Sequence, residues 1–376
     1  MSEADTTKGD RRSKYSTLDM NDNRSCLEKI ALSNSLAKET LSEFFGTCLL
    51  VTFTCCSVAT SVLNYGSSGG ILGTTIGCSL GVTMAVYATG GVSGDDCPSR
   101  AASTRAGKTD EDGGKRSKMA SDGGNRLRMA GNDSGRRETS GNGARLLFKA
   151  MTAQAVLHPP GGHVNPAVSF AMCMTGKLSW VKLPFYISAQ FLGAFTGSAA
   201  AFGVYYDALM KYSGGVFTVV GPNATAHIFA TYPSPYLSTL NGLADQMMST
   251  ALLLILIFAI FDKKNMPAPS GLEPIAVGLL ILTLGLSLGS NSGCAMNPAR
   301  DLGPRVFTAL AGWGSEVFTA GNSFWWIPVV GPMCGAVIGS YIYILCIQAH
   351  HKKEPGVLDL NPDIDHFEKH ELASMA

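Results

Sequence analysis

The chain has 376 residues, with 29 Lys plus Arg against 28 Asp plus Glu and a formal net charge of +1, which leaves no basic excess for a nucleic acid. Only 15% of its residues are charged, against roughly 25% in soluble domains, and no Asp, Glu, Lys or Arg occurs from Phe44 to Gly94. A soluble globule could not keep such a run off its surface, so a membrane protein is the expectation.

Residues 1–38 read as a polar, disordered tail without the apolar h-region of a cleavable signal peptide. Six apolar spans follow, near 42–63, 71–89, 182–205, 245–261, 273–289 and 325–347, each close to the roughly 20 residues that a bilayer core requires. Basic residues orient them: Lys8, Arg11, Arg12 and Lys14 precede span one, Lys263 and Lys264 separate spans four and five, and Lys352 and Lys353 follow span six. The positive-inside rule then puts both termini in the cytoplasm. Asn223-Ala224-Thr225 is a glycosylation sequon in the loop 206–240, assigned outside; sequons at Asn132 and Asn23 fall on the cytoplasmic side and read as chance. The 350–376 segment is a second cytoplasmic tail. The ten cysteines are scattered, with no CxxC pair or Cys/His spacing, so no metal or disulfide framework is expected. No cofactor is expected, and no nucleophile–base constellation suggests an enzyme.

The chain repeats itself. Gly161–Ala167 and Gly293–Ala299 share Gly-x-x-x-Asn-Pro-Ala, each after two spans and before a third. One copy follows an inward-running span and the other an outward-running one, so the halves are inverted in the membrane. Asn165-Pro166-Ala167 and Asn297-Pro298-Ala299 are helix starts, an N-cap followed by proline at the first helical position. The helix after Asn165, to about Thr175, is too short to span; at 1.5 Å per residue ten residues cover about 15 Å, half the hydrocarbon core. Two such half-helices meeting N-terminus to N-terminus make a seventh pseudo-span, with positive dipole ends at the bilayer centre. The asparagine amides would donate into a pore that the approach segments Gly161–Val164, with Gly162 and His163, and Gly293–Met296 line with carbonyls. The expected fold is an all-α membrane protein of six transmembrane helices plus two half-helices.

The stretches "SLAKETLSEFFGT", "GGHVNPAVSFAMC", "LPFYISAQFLGAF", "NATAHIFATYPSPYLS", "GLEPIAVGLL", "NSGCAMNPARDLGPRVFTALAGWG" and "FWWIPVVGP" resemble the aquaporins of the major intrinsic protein family, in their aquaglyceroporin branch. The resemblance covers about 36–93 and 161–350. It implies a plasma-membrane homotetramer with one pore per subunit, passing water, glycerol, urea and similar uncharged solutes without catalysis. By alignment it also implies a selectivity filter of Cys78, Gly285, Cys294 and Arg300, small apart from the arginine. Cys78 departs from the larger aromatic common at that position, which should widen the filter or change which solutes fit; Cys294 is the candidate for mercurial block. The resemblance further implies that His163 lines the pore, that Asp301 braces a loop, that Glu43 holds the approach-loop amides, and that Gln246 is its neutral symmetry mate.

The channel domain is expected over 39–93 and 161–349. Between its parts, 94–160 (or 95–161) is an insertion rich in Gly, Arg, Ser and Asp, disordered by composition. Only 144–157 shows helical periodicity, as a basic amphipathic segment. The insertion reads either as a splice or gene-prediction product or as a cytoplasmic regulatory plug. The alternative functional readings are therefore a non-conducting or modulatory splice form, an adhesion or scaffold member of the same fold, and a coupled transporter.

Overall fold

The computed structural model describes residues 32, 34–67, 69–92 and 162–351. The insertion, Gly161, the sequons at Asn23 and Asn132, and nearly all of both tails lie outside them.

Among the described residues all regular structure is helical. The α-helices are α1 (Ser35–Leu63), α2 (Gly70–Thr89), α3 (Pro166–Met174), α4 (Leu183–Ser213), α5 (Thr239–Phe261), α6 (Glu273–Ser292), α7 (Pro298–Thr308), α8 (Glu316–Ser323) and α9 (Ile327–Cys346). Six helical segments are long and apolar enough to cross a membrane: α1, α2, α4, α5, α6 and the stretch that contains α9. The half-helices α3 and α7 complete the set.

Several ends differ from those read off the apolar runs. Apolarity marks the part of a helix that lipid would contact, whereas caps mark where it ends. Asn34 accepts from the Ala37 amide at 3.2 Å, so α1 starts at Ser35 and takes residues 35–38 out of the tail. Ser238 accepts from Asn241 N, which starts α5 at Thr239. The helix α4 runs on to Ser213 and stops at Gly214, whose φ of +65° suits glycine. Asp207 and Lys211, expected in a loop, therefore sit on the last turns of α4.

The two halves use the same packing device. On α4, a Cβ at Gly193 or Gly197 would run into the carbonyls of Phe44 and Cys48 on α1. On α9, a Cβ at Gly335 or Gly339 would meet those of Met247 and Ala251 on α5. Small residues one turn apart let the backbones touch, as helix packing in lipid requires. The helices α2 and α6 face each other, with Gly278 seated on Thr83 and Gly285 on Thr75. Half-helix α3 packs on α9 and half-helix α7 on α4, so each half closes against the other.

Candidate functional site

The site is built from the two half-helix starts. Asn165 and Asn297 are extended caps: Asn165 Oδ1 accepts from Ala167 N at 2.9 Å, and Asn297 Oδ1 accepts from Ala299 N at 3.0 Å and Arg300 N at 3.1 Å. Pro166 and Pro298 occupy the first helical positions, where a missing N–H costs nothing. Each asparagine then reaches across the repeat. Asn165 Nδ2 donates to Met296 O at 2.9 Å, and Asn297 Nδ2 donates to Val164 O at 2.8 Å. An amide nitrogen carries two hydrogens, so each asparagine keeps one N–H for the cavity that both line. Val164 O and Met296 O thus each accept from the opposite asparagine, and each carbonyl keeps a second lone pair.

The residues before the asparagines are matched in conformation. Val164 has φ +44° and Met296 φ +51°, a region that costs about 1–3 kcal/mol for a non-glycine residue unless its surroundings hold it. Both ends of each are held. Glu43 accepts from His163 N on Oε1 and from Val164 N on Oε2, each at 2.7 Å. Gln246 Oε1 accepts from Met296 N at 3.2 Å, while its Nε2 donates to Ser292 Oγ at 2.7 Å. Ser292 Oγ in turn donates to Asp245. Glu43 and Gln246 are fully buried.

One cavity of about 580 Å³ passes these groups. Ile71, Thr75, Cys78, Val82 and Val86 line it from α2, and Val277, Ile281, Gly285 and Gly289 from α6. These spacings follow one face of each helix, and Ile71 to Val86 covers roughly 22 Å at 1.5 Å per residue. Gly162, His163, Val164, Asn165, Cys294, Asn297 and Arg300 also line it. Gly161 lies outside the described residues.

Arg300 Nη1 donates to Phe229 O at 2.9 Å, which fixes the guanidinium against the wall. Asp301 does not line the cavity. It accepts from Thr231 N at 2.7 Å and closely from the Thr231 hydroxyl, and pairs with Arg305 at 2.9 Å, both side chains being fully buried. Arg305 also donates to Val317 O at 2.8 Å, closely to Thr231 O, and lies over the Tyr232 ring. Cys78 is half-buried; Cys294 is buried, its Sγ 3.9 Å from Leu284 O. A Cβ on Gly285 would stand 2.6 Å from Thr75 Cγ2, so Thr75 backs that position. His163 Nδ1 pairs with Ser169 Oγ at 3.0 Å, and its ring meets Tyr186 edge-on at 5.5 Å. Asn223 is exposed, whereas Thr225 of the same sequon is buried and accepts from Trp313 Nε1 at 3.1 Å.

A charged cluster sits beside the ends of α3 and α5. Lys177 Nζ lies 4.4 Å over the Phe258 ring; burial pushes its pKa down to about 8, and nearby Asp262 acts in the opposite sense. Burial raises the Asp262 carboxyl, but hydrogen bonds from His351, the Lys264 amide and Tyr343 outweigh it and hold the group below its usual range.

Ser169, Gln190, Phe229, Thr231, Thr75 and Asp245 were not singled out from sequence. Gln190 carried a signal, being a polar side chain inside an apolar span. Phe229 carried none, since it acts through its carbonyl.

The family described as Major intrinsic protein matches residues 31–97 and 143–343; the part left out, 98–142, lies inside the expected insertion. The chain is 48% identical to human Aquaporin-9 over 350 residues, 93% of this chain and 96% of that one. It is 56% identical to human Aquaporin-10 over 195 residues, 52% of this chain and 65% of that one. A solved structure of the aquaglyceroporin from Plasmodium falciparum shares the fold, with a TM-score of 0.59 at 23% identity, over 83% of this chain and 97% of that one.

Proposed function

This chain belongs to the major intrinsic protein family, and from that premise we propose that its elongated cavity is the solute path and that Arg300, Cys78, Gly285 and Cys294 form its filter. The chain is a passive channel for water, glycerol and other small uncharged solutes, and urea falls within that class. The observation that carries this reading is the reciprocal pair of hydrogen bonds between the half-helix tips, Asn165 to Met296 and Asn297 to Val164. That arrangement aims two positive dipole ends and two spare amide N–H groups at one narrow stretch of the path.

A solute oxygen there meets donors from the asparagines and from Arg300, against apolar walls on α2 and α6. A hydroxylated molecule exchanges its hydrogen bonds one at a time as it moves. A cation or proton meets the dipole ends and a fixed guanidinium, so it is repelled. In this reading the channel sits in the plasma membrane as a homotetramer with both termini cytoplasmic.

Stopped-flow light scattering on vesicles holding the full chain tests it. Glycerol and urea gradients should collapse several-fold faster than in protein-free vesicles. Equal rates would instead favour the non-conducting, modulatory form, and flux that needs an ion gradient would favour a coupled transporter.

A further inference from the structure

A line of polar side chains, Glu43, Gln190 and Ser169 buried and His163 half-buried, ends on the cavity. Gln190 Nε2 lies 2.8 Å from Glu43 Oε2 and 3.0 Å from Ser169 Oγ. Ser169 Oγ lies 3.0 Å from His163 Nδ1.

Proton accounting gives this line a direction. Glu43 already accepts the His163 and Val164 amides, one on each oxygen, and as a carboxylate it offers only acceptors. Gln190 must therefore turn its NH₂ towards it; the reverse orientation would set the amide oxygen against a carboxylate oxygen. Both Nε2 hydrogens are then committed, one to Glu43 and one to Ser169. The amide oxygen is left over, and Gln190 Oε1 is indeed buried without a partner. A carbonyl left short is the cheaper orphan than an N–H.

Ser169 Oγ thus accepts from Gln190 and has one hydrogen to give. Ser198 and Ser340 turn theirs to the carbonyl four residues back. Ser169 does not; its hydroxyl meets the His163 ring. A ring nitrogen that receives a hydroxyl hydrogen cannot carry its own, so a Ser169 hydrogen given to Nδ1 makes it the bare nitrogen of the neutral imidazole and puts the proton on Nε2.

We propose that Gln190, acting through Ser169, is a positioning residue that holds neutral His163 as the Nε2–H tautomer. The ring then gives the path a hydrogen-bond donor, in line with the amides of Asn165 and Asn297 and the Arg300 guanidinium. These four side chains then all donate into the path. This deepens the channel reading, and rests on it for the transport readout alone.

The test uses the full chain in lipid vesicles with ¹⁵N-labelled histidine. Solid-state NMR at neutral pH reads the His163 ring, assigned by difference from His163→Asn. The expected spectrum has a protonated, pyrrole-type Nε2 and a bare, pyridine-type Nδ1. Ser169→Ala and Gln190→Met should each turn this into a mixture of tautomers, and Ser169→Thr should restore it. Glycerol permeability should fall roughly two- to tenfold in Ser169→Ala, the worth of one ordinary hydrogen bond, and recover in Ser169→Thr. A wild-type ring protonated on Nδ1, on both nitrogens or as a mixture overturns the inference; so does a single Nε2–H tautomer that persists in Ser169→Ala. If Gln190→Met does not fold, the wild-type and Ser169→Ala spectra decide. The expected spectra without glycerol flux in the wild type would support the tautomer and count against the channel.

Discussion

Asn165 caps a helix, ties one half of the molecule to the other and keeps a donor for the cavity, all with one side-chain amide, and Asn297 does the same. Replacing Asn297 by Ala removes the cap, worth about 0.5–2 kcal/mol, and frees Val164 O as well. The expected result is a lower melting temperature in detergent and reduced glycerol flux; an unchanged pair of values would contradict the geometry. Arg305 belongs to the scaffold. It is fully buried against Asp301, and Arg305→Met would leave that carboxylate uncompensated, a loss of about 3–5 kcal/mol. Thermal unfolding should show it as a large drop, even though neither residue lines the cavity. Lys177 lies outside the six spanning helices, between α3 and α4. Its pKa of about 8 lies below that of an ordinary lysine, so it is charged below pH 8 and neutral above. Asp262 favours its charged form, so Asp262→Asn should move the midpoint lower still. An NMR titration of the Lys177 amine, assigned with Lys177→Arg, reads both values.

At the level of elements, the half-helices were legible because Asn-Pro-Ala states both where a helix starts and how, because the apolar run after Asn165 is too short to cross a bilayer, and because the motif repeats at Asn297. Helix ends were less legible: Asn34, Ser238 and Gly214 set them several residues away from the apolar runs. The pairing of α1 with α4 and of α5 with α9 was not legible. Glycines are frequent throughout the chain, and only the folded form shows that Gly193, Gly197, Gly335 and Gly339 are the ones pressed on a neighbour's carbonyls. Gly197→Leu and Gly339→Leu should therefore each prevent the helices from closing, with loss of monodisperse protein on size-exclusion chromatography. A leucine at Gly203, which has open space around it, should be tolerated.

Across the whole molecule, the inverted repeat made Glu43 and Gln246 legible as counterparts, because a polar residue inside an apolar span needs a partner at that depth. What stayed hidden were contacts made by backbone groups, such as Phe229 O on Arg300 and Val164 O on Asn297, for which residue type carries no signal. The insertion 94–160 enters immediately before the first Asn-Pro-Ala loop. Loop closure over such a length costs only a few kcal/mol, so deleting it should leave folding intact and raise permeability; equal or lower flux in the deleted protein would count against an obstructing insertion. The central claim concerns what the converging half-helix tips admit. It is tested most directly by measuring glycerol permeability and proton conductance on the same vesicles holding the full chain. The account predicts rapid glycerol entry with a proton leak no greater than that of protein-free vesicles. Glycerol entry no faster than in empty vesicles, or entry accompanied by a proton leak, would contradict it.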